Sequence, residues 1–281
     1  MTQAYRFMIA GIKILLQSEQ AGAIRHLQPF ALEDDGEGDL LIRYDALDER
    51  ADKRFLRSDA EYFFWYAVPG GYRLELQSPF SQEVYAAMDV DDGWRNAVFR
   101  SNRRIDACLL EGPLGEAFFR CAIVQRGGIQ VHSAAVAYEG QGIVFSAPSG
   151  TGKTTHARLW VDHLGAAMLN GDRPMLCTSD DEVRVCGAPW SGSDPVYQNL
   201  SLPLAALVFL RQAPENRLEK LPLGTAVKQM MPRCFLPYFS EDMLAEAFRT
   251  IERILKKTPC YLLHCRPERE AAELLCQSIC R

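Results

Sequence analysis

Residues Ile143-Val144-Phe145-Ser146-Ala147-Pro148-Ser149-Gly150-Thr151-Gly152-Lys153-Thr154-Thr155 decide how this chain is read. The run opens as an apolar strand, passes through small residues and closes on a lysine and two threonines. Beyond it, Ala157, Val161 and Leu164 recur at helical spacing, and Gly165 supplies a C-terminal stop. A strand, a small-residue loop and a helix start let successive backbone N–H groups converge on one anion without side-chain obstruction. The helix directs its positive end to the same point. Ala147 to Thr154 fits the pattern A-x-x-x-x-G-K-T, a phosphate-binding loop with Ala for the usual first Gly. In this reading Pro148, Ser149, Gly150, Thr151, Gly152, Lys153, Thr154 and Thr155 cradle the phosphates of ATP or another nucleoside triphosphate. Lys153 reaches the β- and γ-phosphates, and the Thr154 hydroxyl ligates Mg²⁺. Ser149 and Thr151 contribute backbone rather than side chains.

The flanking connections are short. Residues 129–138 and 142–146 are apolar runs joined by the tight turn Glu139-Gly140-Gln141-Gly142, an antiparallel hairpin leading into the loop. Residues 174–178 and 183–187 flank Ser179-Asp180-Asp181-Glu182, a second hairpin. Connections this short cannot make parallel crossovers, so the sheet is mixed or antiparallel, unlike those of Ras-like and adenylate-kinase-like proteins. Residues 202–211 and 261–264 read as strands, and 224–231 and 267–280 as helices. In 242–257, Met243, Leu244, Ala247, Phe248, Ile251, Ile254 and Leu255 form one stripe, with Ser240 as N-cap and Lys256 and Lys257 at the far end. Upstream, 115–126 reads as a helix ended by Gly127-Gly128. Residues 5–16, 40–44, 62–68, 72–77, 84–88 and 96–101 read as strands of an antiparallel sheet, with an exposed acidic loop at 33–38. The organisation is a β-rich region over 1–112, a candidate for acceptor recognition, and a nucleotide-binding domain over 113–281. The fold class is α+β, or mixed α/β.

The 281 residues suffice for one large domain or two smaller ones. Hydrophobic residues make up 48% and charged residues 24%, the balance of a soluble globular chain, and the net charge of −5 argues against nucleic-acid and membrane partners. Residues 7–16, the most apolar early stretch, are interrupted by Lys13, are too short to span a bilayer and lack a small-residue cleavage site. Nine cysteines are scattered, odd in number and never spaced Cys-x-x-Cys, which reads as reduced thiols of a cytoplasmic protein. His156 and His163 on the post-loop helix read as solvent-facing, and with His264 they lack the spacing of a zinc site.

His132-Ser133-Ala134-Ala135-Val136, Gly142-Ile143-Val144-Phe145 and Ser149-Gly150-Thr151-Gly152-Lys153-Thr154-Thr155 together resemble the HPr serine kinase/phosphorylase family. Gly171-Asp172-Arg173 and Gly187-Ala188-Pro189-Trp190-Ser191-Gly192 extend the resemblance, which covers roughly residues 115–221. It implies the nucleotide-binding fold shared with phosphoenolpyruvate carboxykinase, ATP and Mg²⁺ as cofactors, and a homo-oligomer. It implies that His132 lies near the phosphates and that Asp172 is metal ligand or general base. Two departures stand out. Gly171 occupies the place of the first of two paired aspartates, leaving Asp172 to serve alone or with Asp194. Thr155 stands where those kinases carry an acid. Both argue against phosphorylase activity and against the protein HPr as substrate.

The residues also admit plainer readings. Asp172 suits a strand-end metal ligand, and equally a turn at Asn170-Gly171-Asp172. His132 is a phosphate or carboxylate partner, or an ordinary strand histidine. Arg173 neutralises the transferring phosphoryl group or forms a structural ion pair. Trp190 fills the core ahead of stacking in a cleft. The expected activity is phosphoryl transfer to a hydroxyl of a peptide, protein or small molecule, carried by Lys153, Asp172, His132 and Arg173. The alternative is a nucleotide-binding regulator without chemistry, and a carboxykinase-like enzyme ranks last.

Overall fold

The computed structural model describes residues 3–18, 26–59, 62–101, 106–179, 181–192 and 196–279. The chain forms two compact units, Met1–Gln125 with Pro237–Met243, and Arg126–Leu236 with Leu244–Arg281. The division therefore falls after Gln125 rather than after residue 112.

In the first unit the strands are β1 (Gln3–Ile9), β2 (Ile12–Ser18), β3 (Leu40–Asp45), β4 (Arg54–Asp59), β5 (Phe63–Val68), β6 (Gly71–Gln77), β7 (Val84–Asp91) and β8 (Asn96–Ser101). Helices α1 (Asp106–Glu111) and α2 (Pro113–Val124) follow. One sheet runs in the order β1-β2-β3-β8-β7-β6-β5-β4. Residues 5–16, read as one strand, are a hairpin. Ala10 and Gly11 both take positive φ, 50° and 78°, the two-residue turn that suits strand twist. The sheet is also not wholly antiparallel, because β3 pairs parallel with both β2 and β8. The long connection between β2 and β3 permits what a tight turn forbids. Burial alternates along β2, with Ile12, Ile14, Leu16 and Ser18 inward. α2 belongs here because its apolar face enters this core: Phe118 stacks on Trp94 at 6.0 Å and meets Phe99 edge-on at 5.8 Å. The returning segment adds Phe239, stacked on Trp65 at 4.0 Å.

The second unit holds β9 (Gly128–Gln130), β10 (Ser133–Tyr138), β11 (Gln141–Ser146), α3 (Lys153–Leu164), β12 (Ala167–Asn170), β13 (Met175–Thr178), β14 (Val183–Cys186), β15 (Ser201–Gln212), β16 (Arg217–Lys220), α4 (Leu223–Met230), α5 (Glu241–Lys257), β17 (Cys260–Cys265) and α6 (Arg269–Ile279); the first residues of α5 count with the first unit. The sheet is mixed: β12-β10-β11-β15-β14-β13-β9, with β17 on β15 and β16 on β17. β11, β15 and β17 run parallel, and the hairpins β10–β11 and β13–β14 run antiparallel. The first residues of β15 pair with β14, and the rest with β11 and β17. Residues 129–138 break at Val131 and His132: β9 pairs with β13, whereas β10 pairs with β11 and β12. His132 thus stands where the chain passes between two sets of partners, not inside a strand. Phe145, Trp160, Val208, Leu263, Ala272 and Leu275 anchor a core that joins the sheet to α3 and α6. On α5 the inward stripe includes Thr250, fully buried, while Phe248, read as part of that stripe, is 42% exposed.

No helix among the described residues is long and apolar enough to cross a membrane.

Candidate functional site

The loop between β11 and α3 turns on two glycines in the left-handed region, Gly150 at φ 77° and Gly152 at φ 104°. A side chain at either would be strained. Gly152 caps α3 without any side-chain hydrogen bond, and the first helical amide to find a carbonyl is that of His156, donating to Gly152 O at 2.8 Å. The amides ahead of it are left without a side-chain cap. Pro148, Ser149, Gly150 and Thr155 are exposed, while Thr151, Gly152 and Thr154 are half-buried.

Lys153 is only 7% exposed and folds back so that its ammonium donates to Ala147 O at 3.3 Å. Burial pulls its pKa below the ordinary lysine value. The Asp172 carboxylate works against that pull, and the charge of Arg233 adds to it. Lys153, Asp172 and Arg233 therefore share one electrostatic neighbourhood. The inward face of α3 is Lys153, His156, Ala157 and Trp160. This corrects the reading of His156 as solvent-facing: it is 3% exposed, edge-on to Phe145 at 4.8 Å, and burial drives its pKa to about 4. Neither ring nitrogen has a hydrogen-bond partner. The stripe read from Ala157, Val161 and Leu164 was rotated slightly from the true buried face, since Val161 and Leu164 are half-exposed. His163 is exposed, as read.

Asp172 sits just after β12 in a turn built by Asn170. Fully buried, Asn170 accepts at Oδ1 from the amides of Asp172 (3.0 Å) and Arg173 (2.7 Å), and donates from Nδ2 to Ala188 O (2.9 Å) and Trp190 O (3.2 Å). The Asp172 carbonyl accepts from Ser133 N at 2.9 Å. Its carboxylate is claimed at both oxygens. Oδ1 lies 3.1 Å from His132 Nε2, and Oδ2 lies 3.1 Å from Arg173 Nε. Burial alone would raise the pKa of Asp172. The hydrogen bond and charge of His132, then those of Arg173, outweigh it and hold the group below the ordinary aspartate value. Gly192, at φ 69°, lies so close that a Cβ there would come within 2.4 Å of Asp172 Oδ2. The His132 amide donates to Arg233 O at 2.8 Å, and the Arg173 guanidinium lies 5.7 Å from the Phe235 ring centroid.

His132, Asp172 and Arg173, singled out in sequence, thus form one hydrogen-bonded cluster, and Lys153 feels its charge. The turn read at Asn170-Gly171-Asp172 is present, and Arg173 makes an ion pair with Asp172. Trp190 is 5% exposed, in accord with the core reading. Asp194, the candidate second acid, lies outside the described residues, as do Asp180 and Cys280. Among the described residues no three of His, Cys, Asp and Glu gather as a metal-ligand group. Three residues of the cluster carried no sequence signal for the role they play: Asn170 as the tie between two loops, Gly192 as the floor under Asp172, and Arg233.

No family model matches the chain, and no curated protein matches it. Solved structures that match include the Hpr(Ser) kinase/phosphatase from Coxiella burnetii, at 11% identity and a TM-score of 0.29, over 52% of this chain and 85% of that one. A likeness of this size bears on neither the reaction nor its residues.

Proposed function

We propose that the chain is a nucleoside-triphosphate-dependent phosphotransferase that moves a γ-phosphoryl group, from ATP, to a hydroxyl of a peptide, protein or small molecule. The observation that carries this reading is Lys153. It is a buried ammonium at the first position of α3, behind a loop whose two glycines take positive φ, and it is within electrostatic reach of an ionised aspartate. The uncapped amides of that helix start suit a polyphosphate. Phosphoryl transfer asks a protein mainly for position and charge, and this cluster offers both.

In this reading the loop amides and Lys153 hold the β- and γ-phosphates. Asp172 faces the attacking hydroxyl and receives its proton as the phosphoryl group departs. His132 and Arg173 fix the Asp172 carboxylate, and Arg173 supplies positive charge. The depressed pKa makes Asp172 a weak base, so its larger contribution is orientation. Thr154 and Asp172 are hard oxygen donors of the kind Mg²⁺ takes beside substrate phosphates, and would hold it. The ion would offset charge on the phosphates.

The full occupation of the Asp172 carboxylate by His132 and Arg173, with Gly171 beside it rather than a second acid, favours one other reading. In it, the nucleotide is bound for regulation and no group is transferred. One experiment separates them. Melting temperature is followed with ATP–Mg²⁺, and turnover is measured across hydroxyl acceptors, for the parent and Lys153→Ala. Loss of one preorganised charge predicts a fall in transfer of about 100-fold or more. Transfer that survives Lys153→Ala undiminished sinks the assignment. A nucleotide-induced melting shift without turnover selects the regulatory reading.

A further inference from the structure

We propose that Cys177 and Cys186 are a peroxide-sensitive dithiol that closes to a reversible disulfide. They lie on the two strands of the β13–β14 hairpin. Cys177 pairs with Arg184 and Met175 with Cys186, so the two cysteines are diagonal neighbours on one face. Their sulfurs are 3.7 Å apart, with nothing between them. Nine positions separate the two cysteines, so no local spacing pattern marks the pair.

The surroundings divide the labour. The Cys186 sulfur lies 3.3 Å from the Ser201 hydroxyl, and Arg184, which donates to that same hydroxyl at 2.8 Å, brings a positive charge close by. The Cys177 thiol, Ser201 and Arg184 together hold Cys186 below the ordinary thiol pKa despite burial. Elsewhere burial does the opposite, pushing Cys121, Cys234 and Cys260 up to about 12 and Cys265 to about 11. Cys177 is itself raised, first by its hydrogen bond to Cys186. A thiolate-leaning sulfur beside a protonated one is the arrangement of an attacking and a resolving cysteine. Cys186 is 2% exposed and Cys177 is half-buried, so the oxidant has to be as small as a peroxide.

The chemistry balances with a hydroperoxide as the oxidant. The Cys186 thiolate takes one peroxide oxygen as the O–O bond breaks, giving a sulfenic acid, and the other oxygen leaves as water. The Cys177 sulfur then attacks the Cys186 sulfur, the S–O bond breaks, and a second water departs. Two thiols lose two electrons and two protons, and hydrogen peroxide becomes two waters. Diagonal strand neighbours stand about 7–8 Å apart at Cα, beyond the usual span of a disulfide. Closing the bond draws the strands together, and a bond so formed is readily reduced. β13 begins just after Asp172 and Arg173, and β14 ends just before the Gly187–Gly192 stretch that reaches Asp172. The link therefore ties both limbs that leave the cluster.

Test the full chain, reduced and then titrated with hydrogen peroxide. Excess oxidant is removed, free thiols are alkylated under denaturing conditions, and tryptic peptides are weighed. Cleavage after Arg184 puts the two cysteines in different peptides. The expected result is a linked pair of those peptides, about 2 Da lighter than their sum, released by dithiothreitol and absent from Cys177→Ser and Cys186→Ser. Full alkylation of both cysteines after peroxide overturns the proposal. So does oxidation of Cys186 to the sulfinic acid with Cys177 left free, a result readable in the parent protein alone.

Discussion

At Gly192 two constraints coincide: a φ of 69°, and a carboxylate oxygen of Asp172 that an added Cβ would approach to 2.4 Å. The left-handed conformation alone costs an L-residue about 1–2 kcal/mol. Gly192→Ala should lower the melting temperature and push Asp172 from its place; on the proposed function, phosphoryl transfer then falls about 100-fold, the scale of a 1 Å misplacement. An unchanged melting temperature would show that the loop yields freely. His156 presents the opposite case. Its two ring nitrogens are buried and unpartnered, and an apolar side chain of similar size asks for no hydrogen bond. His156→Leu should stabilise the protein by about 1–3 kcal/mol, the range for an unsatisfied buried polar group. The reading is by chemical denaturation, and a loss of stability would mean the imidazole has a partner after all.

Among the elements, the β7–β8 connection offers a pH test. Asp91 accepts from the Arg95 amide at 2.7 Å, the Asn96 amide at 3.2 Å and Asn96 Nδ2 at 2.6 Å. Burial would raise its pKa, but these hydrogen bonds prevail and hold it below the ordinary aspartate value. A depressed carboxylate pKa gives stability that is present in full above the unfolded pKa, about 4. That stability drains away as pH falls through the lower folded value. The melting-temperature gap between the parent and Asp91→Asn should be level from neutral pH to about pH 5 and narrow below about pH 4. A gap that stays constant to pH 2 contradicts the carboxylate's role. The elements themselves were legible where chemistry marks the turns. Glu139-Gly140 and Pro69-Gly70 announce their hairpins, with Gly140 and Gly70 both at φ 76°. Ala10-Gly11, inside an apolar run, announces nothing, so two strands read as one. β4 was missed because Arg54–Asp59 is mostly exposed and charged, with no alternating apolar face. The loop, Asp172 and His132 were found through a local motif and a resemblance. Asn170 was legible as a turn residue, but its tie to Ala188 and Trp190, like the approach of Gly192 to Asp172 and the place of Arg233, joins residues far apart along the chain, which no local pattern encodes.

At the scale of the molecule, the first unit keeps a charged network inside its sheet. Arg73 is fully buried and meets Glu75 at 2.8 Å, Asp48 at 2.9 Å and Asp89 at 3.0 Å, with Lys53 on Glu75 and Arg100 on Asp89. Removing one partner from such a group strands the others, at a cost of about 3–5 kcal/mol. Arg73→Ala should lower the unfolding free energy by that amount, read from the denaturant midpoint, and a shift under 1 kcal/mol would mean solvent already screens the group.

The return of Pro237–Met243 to the first unit has a consequence for how the gene can be divided. Phe239 covers the Trp65 ring, so a fragment ending anywhere before that residue leaves an indole uncovered that the full chain keeps dry. No single cut yields two self-sufficient halves. A swap that exchanges the front of this protein for another must carry the returning stretch with it, or Phe239 loses the ring it stacks on.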